Sequence, residues 1–238
     1  MKRLKAVFLP AEILLYVLIL AGDWFNILRG PGLSVLKLAA ILECFAVAFQ
    51  AHKADPNYRV LQVWAFVFTA IADVMLLFFA SDTMLTVGVA SFLIVQILYM
   101  LRLWKIQPVN LDRKRTEMWV RLGLAMVVVL IMNFKEMELS ALPVLAVVYF
   151  CFFVVNVVEA LMLAGTSREA KLLAAGLVLF LLCDINVGLY NMGSFVSGVP
   201  DAAAKIAGPL MWTFYLPAQV ILTFSGESDA GEAQRSES

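Results

Sequence analysis

Long apolar runs alternate with short polar breaks along the whole chain. Eight runs are long enough to cross a bilayer, at about residues 7–28, 33–51, 60–80, 83–101, 119–134, 140–163, 171–192 and 204–224. The fifth is the shortest. The breaks carry ordinary punctuation: "RGPG", "HKADPNYR", "SDT", "GTSREAK" and "GSFVSGVPD". A hydrocarbon core about 30 Å thick is crossed by about 20 apolar residues in a helix. Lipid offers the backbone no partners, so runs of this length must satisfy their own hydrogen bonds as helices. The pattern predicts an all-α fold, a polytopic membrane protein built as a bundle of eight transmembrane helices within residues 1–225. Residues 226–238, small and polar, are expected to form a disordered cytoplasmic tail.

Composition agrees. The chain is 63% hydrophobic and 15% charged, where a soluble domain is roughly half apolar and a quarter charged. Its mean hydropathy is +0.89. The formal net charge is zero, which excludes strong attraction to nucleic acid. The three cysteines, Cys44, Cys151 and Cys183, fall inside apolar runs and read as small buried hydrophobes. With no CxxC or Cys/His cluster, neither a disulfide framework nor a metal is expected. The single histidine, His52, lies in a polar break beside Lys53 and reads as a solvated interfacial side chain. The basic start "MKRLK" resembles a signal peptide only at first. The length of the following run, Glu12 within it and the lack of an A-x-A-like site favour a first spanning helix.

Orientation follows from the basic residues. Most of the 18 lysines and arginines gather at the N-terminus, in the breaks after the second, fourth and sixth runs, and in the C-terminal tail. The other side carries Arg29, Lys135 and Lys205. Both termini are therefore expected in the cytoplasm.

Candidate chemistry lies in the charges inside the runs. "FTAIADVMLLFF" holds Asp73 and "LVLFLLCDINVGLYN" holds Asp184, each alone among apolar neighbours. Glu12, Asp23, Lys37, Glu43 and Glu159 also fall within runs. Each such group costs about 2.5–3.5 kcal/mol at a helix centre on insertion scales, so it should face the bundle interior or an interface. Glu12 and Glu159 lie near the cytoplasmic ends and read as snorkelling side chains. Asp73 and Asp184 lie at matching depth in the outer half. Lys37, at a similar level, reads as a counter-ion to one of them. Two carboxyls sharing a low-dielectric site titrate apart, leaving an acid beside an anion. The alternative is a structural pair bonded between helices.

Polar residues at helical spacing extend the set. Asn191 lies near the face of Asp184, and Thr69 and Gln62 on the face of Asp73. Gln96, Tyr99, Tyr215 and Gln219 bring amides and hydroxyls from the fourth and eighth runs. In membrane helices such groups also serve as glue. The third and seventh runs, followed by the fourth and eighth, read as an echo of a four-plus-four duplication.

At these residues the chain resembles the lysoplasmalogenase (YhhN-like) family, eight-span proteins that cleave the vinyl ether of lysoplasmalogens. "SVLKLAAIL" is similar to the family's Lys-Pro segment and supplies Lys37. "TAIADVMLLF" is similar to its Gly-Asp-x-x-Leu segment and supplies Asp73. "ASFLIVQILYMLRL" resembles its Phe-x-x-Gly-His-x-x-Tyr segment through Phe92 and Tyr99. "AAGLVLFLLCDINVGL" resembles its Gly-x-x-x-Phe-x-x-Ser-Asp segment through Gly176, Phe180 and Asp184. "TFYLPAQVIL" resembles its Tyr-Tyr-x-x-Gln segment through Tyr215 and Gln219. This chain departs at Leu38 for the Pro, Ala72 for the Gly, Cys183 for the Ser, and Val95 and Gln96 for the Gly-His. Gln96 hydrogen-bonds but does not shuttle a proton.

The resemblance implies a membrane hydrolase acting on a single-chain ether phospholipid, with Asp73 and Asp184 catalytic and no cofactor. Lys37, Gln96, Tyr99, Asn191, Tyr215 and Gln219 are the expected substrate-binding residues. Two other readings fit the same residues: a transporter or lipid sensor using the intramembrane carboxylates, and an inactive relative that binds lipid. The headgroup and the oligomeric state have no signature in the sequence.

Overall fold

The computed structural model describes residues 2–28, 30–54, 59–79, 81–107, 110–134, 140–191 and 201–226. Those residues form eight α-helices: α1 (Lys2–Phe25), α2 (Pro31–Ala54), α3 (Val60–Phe78), α4 (Asp82–Ile106), α5 (Leu111–Phe134), α6 (Ala141–Leu163), α7 (Arg168–Asn191) and α8 (Asp201–Ser225). Each is long and apolar enough to cross a membrane. The expected eight-helix membrane bundle is therefore the architecture found. The proposed tail, beyond Gly226, lies outside the described residues. The bundle has a basic end, where α1 begins and α8 finishes, and a far end opposite it.

One boundary differs in kind. The fifth helix begins at Leu111, within the basic stretch read as a loop. Local contacts start it there. Asn110 Oδ1 accepts the Arg113 amide at 2.9 Å, an N-cap that satisfies an orphan donor. Arg113 then pairs with Glu117 one turn on, at 2.8 Å. Ser81 and Ser167 begin α4 and α7 in the same way, taking the Met84 and Ala170 amides.

The core is one continuous cluster running through α1–α4 and α6–α8, with fully buried Ile19, Ile41, Phe66, Phe153, Leu177 and Leu216. Large apolar side chains such as Ile13, Trp119, Met126 and Met162 point outward. In lipid that costs nothing, so these are the membrane faces. Most of α5 faces outward in this way, and it is the most peripheral helix.

Two helix pairs pack most closely, α7 with α8 and α3 with α4. Both need glycine. A methyl at Gly176 would meet Leu222 Cγ at 2.6 Å, and one at Gly88 would meet Leu76 at 3.1 Å. Small residues at such crossings let membrane helices approach. These two pairs carry Asp73 and Asp184.

Helix α8 contains Pro209 and Pro217. Pro217 has no amide to donate to the Thr213 carbonyl, four residues before it. Tyr16 of α1 fills that place, its hydroxyl donating to the Thr213 oxygen at 3.0 Å. The break is thus satisfied inside the bundle, as a lipid environment demands. It lies between Tyr215 and Gln219.

Candidate active site

Asp73 and Asp184 each receive a tyrosine hydroxyl. Tyr215 of α8 donates to Asp73, 2.8 Å from Oδ2 and 3.0 Å from Oδ1. Tyr149 of α6 donates to Asp184 Oδ2. Aromatic rings join the two pairs. The Phe180 ring lies 5.4 Å from that of Tyr215, 5.0 Å from Phe153 and 5.6 Å from Phe92. Phe92 and Phe153 in turn contact Tyr149. The two carboxyls lie within electrostatic reach of each other, and both act on Cys183. Five helices thus converge on one layer in the far half of the bundle.

The two acids differ in setting. Asp73 is 4% exposed and both its oxygens contact one hydroxyl. Asp184 is only partly buried, and Tyr149 holds one of its oxygens. Among the described residues no ion pair reaches either carboxyl. Buried anions are ordinarily paired with cations, so this layer departs from the rule.

Lys37 does not serve as the expected counter-ion to Asp73 or Asp184. Its Nζ lies 2.8 Å from Asp23 of α1. Helices α1 and α2 are adjacent in sequence and antiparallel, so their far ends meet before either meets α3 or α7. Lys37 still borders the layer, because its ammonium sits 5.0 Å from the Trp212 ring, which packs 5.1 Å from Tyr215.

The remaining candidates separate by depth. Gln219 lies one turn from Tyr215 toward the basic end and is fully buried. Gln96 is also fully buried, and its Oε1 accepts from Asn156 at 3.1 Å. Tyr99 does not join the aspartates. It accepts from Gln62 at 3.4 Å, and Gln62 lies eleven residues from Asp73, about 16 Å along the helix. Asn191 is exposed and donates to the Val187 carbonyl of its own helix at 2.8 Å. It stands nearly two turns beyond Asp184, outside the packed layer. The duplication echo fails at the same point. The counterpart of Asp73–Tyr215 would be Asp184–Tyr99, and Asp184 takes Tyr149 instead.

Tyr149 was missed by sequence reasoning. Its signal was slight, a lone hydroxyl in the apolar run of α6. Glu12 and Glu159 were misplaced as snorkelling groups. Glu12 is 3% exposed and turns inward to Cys44 Sγ at 3.5 Å. Glu159 meets Arg121 at 2.7 Å.

The basic end is built differently. Arg102, fully buried on α4, donates to Gln62 Oε1, to Ser225 and to Glu169. Glu169 also holds Arg59, with 3.0 Å between Nη2 and Oε2. On the α5–α6 side Arg121 bonds both Glu159 and Asn156. A cavity of about 250 Å³ opens beside this end, between α4, α5 and α6, lined by Trp104, Arg113, Glu117 and Glu159 among others.

The family model for the YhhN family matches residues 33–226. No curated protein and no solved structure matches the chain.

Proposed function

The chain belongs to the YhhN family, and on that premise we propose that it is a membrane hydrolase cleaving the vinyl ether bond of a lysoplasmalogen. The products are a fatty aldehyde and a glycerophospho-headgroup. The observation that carries this reading is the joined pair of tyrosine-bonded carboxyls with no cation in contact among the described residues.

Vinyl ether hydrolysis begins with proton transfer to the alkene carbon remote from oxygen. An oxocarbenium ion results. Water adds to it and loses a proton, and the hemiacetal collapses to aldehyde and alcohol. The reaction therefore wants an acid and an anion side by side. Asp184, the more accessible and less restrained carboxyl, is the general acid. Asp73, held on both oxygens by Tyr215, faces the cation and takes the proton that water releases. The division resembles that of two-carboxylate glycosidases. Gln96, committed to Asn156, has no part in proton transfer, so the carboxyls serve both steps. The aromatic and aliphatic layer around Phe180 suits a single lipid tail.

The excess of Lys and Arg at the basic end orients both termini to the cytoplasm. The site then lies in the outer half of the membrane. Reporter fusions after α4 and at the C-terminus should both read inside.

The test is aldehyde release by the purified chain in lipid nanodiscs given a lysoplasmalogen, with the saturated alkyl analogue as control. Release from the vinyl ether alone is expected. No release from either substrate, with the fold intact, would overturn the hydrolase reading in favour of lipid binding or transport.

A further inference from the structure

One helical turn toward the basic end from the carboxyl layer lie three polar side chains on three helices. Thr69 is four residues before Asp73 on α3. Gln219 is four after Tyr215 on α8, and Gln96 four after Phe92 on α4. Helix α3 runs toward the far end, while α4 and α8 run away from it. The three therefore share one depth, about 6 Å beneath the carboxyls. All are fully buried. Yet four of their polar atoms have no hydrogen-bond partner: Thr69 Oγ1, Gln96 Nε2, and both Nε2 and Oε1 of Gln219.

Orphaned groups of this kind are rare in folded proteins, and each calls for an explanation. Here they are complementary as a set. The two Nε2 groups donate, Gln219 Oε1 accepts, and the Thr69 hydroxyl does either. A buried water takes two to four such partners.

The direction of the Gln96 amide is also fixed. Arg121 only donates, so it takes Asn156 Oδ1, at 2.9 Å. Asn156 Nδ2 is thereby turned to Gln96, bonding its carbonyl at 2.8 Å and its Oε1 at 3.1 Å. Gln96 Nε2 is left to point away from Asn156. The amide lies close to the Tyr149 hydroxyl without meeting hydrogen-bond geometry, which ties this turn to the carboxyl layer.

We propose that Thr69, Gln96 and Gln219 form a buried water site beneath Asp73 and Asp184, and that the water held there is the nucleophile of the hydrolysis. The second clause rests on the function proposed above. Water enters from the side of Gln219. Its oxygen bonds the oxocarbenium carbon and its proton passes to Asp73. Collapse of the hemiacetal then breaks the bond to the glycerol oxygen, which takes the proton from Asp73, while the hemiacetal hydroxyl proton passes to Asp184 and restores the acid. Thr69, Gln96 and Gln219 are positioning residues: they hold water and do not touch lipid.

Radiolytic hydroxyl labelling of the full chain in nanodiscs reads the site without any turnover, because bound water generates radicals in place. With each rate divided by the intrinsic reactivity of its side chain, Tyr215 and Phe180, though buried, should be labelled several-fold faster than Leu173 and Ile41 of the dry core. The Thr69→Val/Gln219→Leu double variant should lose that excess. Equal, slow labelling of all four residues in the wild type would overturn the water site. In turnover, Gln219→Leu should lower kcat and leave KM unchanged. A raised KM with kcat intact would show that Gln219 binds lipid, and would overturn the positioning role. A wild type that releases no aldehyde but labels rapidly at Tyr215 would sink the nucleophile clause and keep the site. Aldehyde release with a dry layer would sink this inference alone.

Discussion

The arginine clusters at the basic end and the aspartate layer in the far half treat buried carboxyls in opposite ways. Toward the basic end, two of three inward-facing carboxyls meet guanidinium groups: Glu169 has Arg102 and Arg59, and Glu159 has Arg121, while Glu12 meets the Cys44 thiol. In the far half, Asp73 and Asp184 have tyrosine hydroxyls instead, and the nearby Lys37 is paired with Asp23. Both arrangements lie in low dielectric. A paired carboxylate is locked in one charge state and in one position, which suits a structural clasp between α3, α4, α7 and α8. A carboxyl bonded to a neutral hydroxyl keeps the choice between acid and anion. The contrast separates residues that hold the helices together from residues that can do chemistry.

Breaking a clasp should have the largest effect on stability. Glu169→Gln leaves two guanidinium groups without their anion, and Arg102→Leu leaves a buried anion short of a partner. Removing one member of a buried pair costs about 3–5 kcal/mol. Both variants should unfold at much lower temperature or denaturant concentration, while the fraction that stays folded turns over normally. A next step sharpens the comparison from the other side. Tyr149→Phe and Tyr215→Phe each remove a hydrogen bond to a carboxyl, an interaction of about 1.5–3 kcal/mol when the carboxyl is charged. Turnover should fall by about 10- to 100-fold by that figure, with the larger loss in the step whose carboxyl is ionised.

Much of this was legible in the sequence, and the limits have physical reasons. Apolar run length sufficed to place the helices, since lipid allows few alternatives for such runs. Asp73 and Asp184 stood out because a lone charge among apolar neighbours is expensive. Depth along a helix was harder to judge than face. Tyr99 shares a face pattern with the site residues but belongs to the layer of Gln62 and Arg102. Arg102 and Arg121 lie just past the fourth run and at the start of the fifth, where a charge is expected to reach water; both are in fact fully buried. Tyr149 was invisible as a partner, because nothing in the α6 run says which helix it faces.

Gln96→His tests the departure from the family pattern. The Gln96 amide is held by Asn156, so an imidazole at this place can keep the acceptor bond and present one titratable nitrogen. Turnover on lysoplasmalogen should rise, by less than tenfold, about 1.4 kcal/mol. Unchanged turnover would show that the carboxyls alone suffice. The smallest effect belongs to Arg113→Ala. Its pair with Glu117 is exposed on the arginine side and one turn apart, worth about 0.3–0.5 kcal/mol. Neither thermal unfolding nor aldehyde release should change measurably.

The separation of chemistry from clasp is tested most directly by Asp184→Asn and Asp73→Asn, read for turnover and for unfolding on the same purified samples. Asparagine keeps size and an acceptor for tyrosine but removes the transferable proton. General acid catalysis contributes about 10²–10⁴-fold, so aldehyde release should fall within that range while the unfolding temperature stays at or above that of wild type. Full turnover in both variants, or loss of fold comparable to that of Glu169→Gln, would make the far pair another clasp and contradict the account.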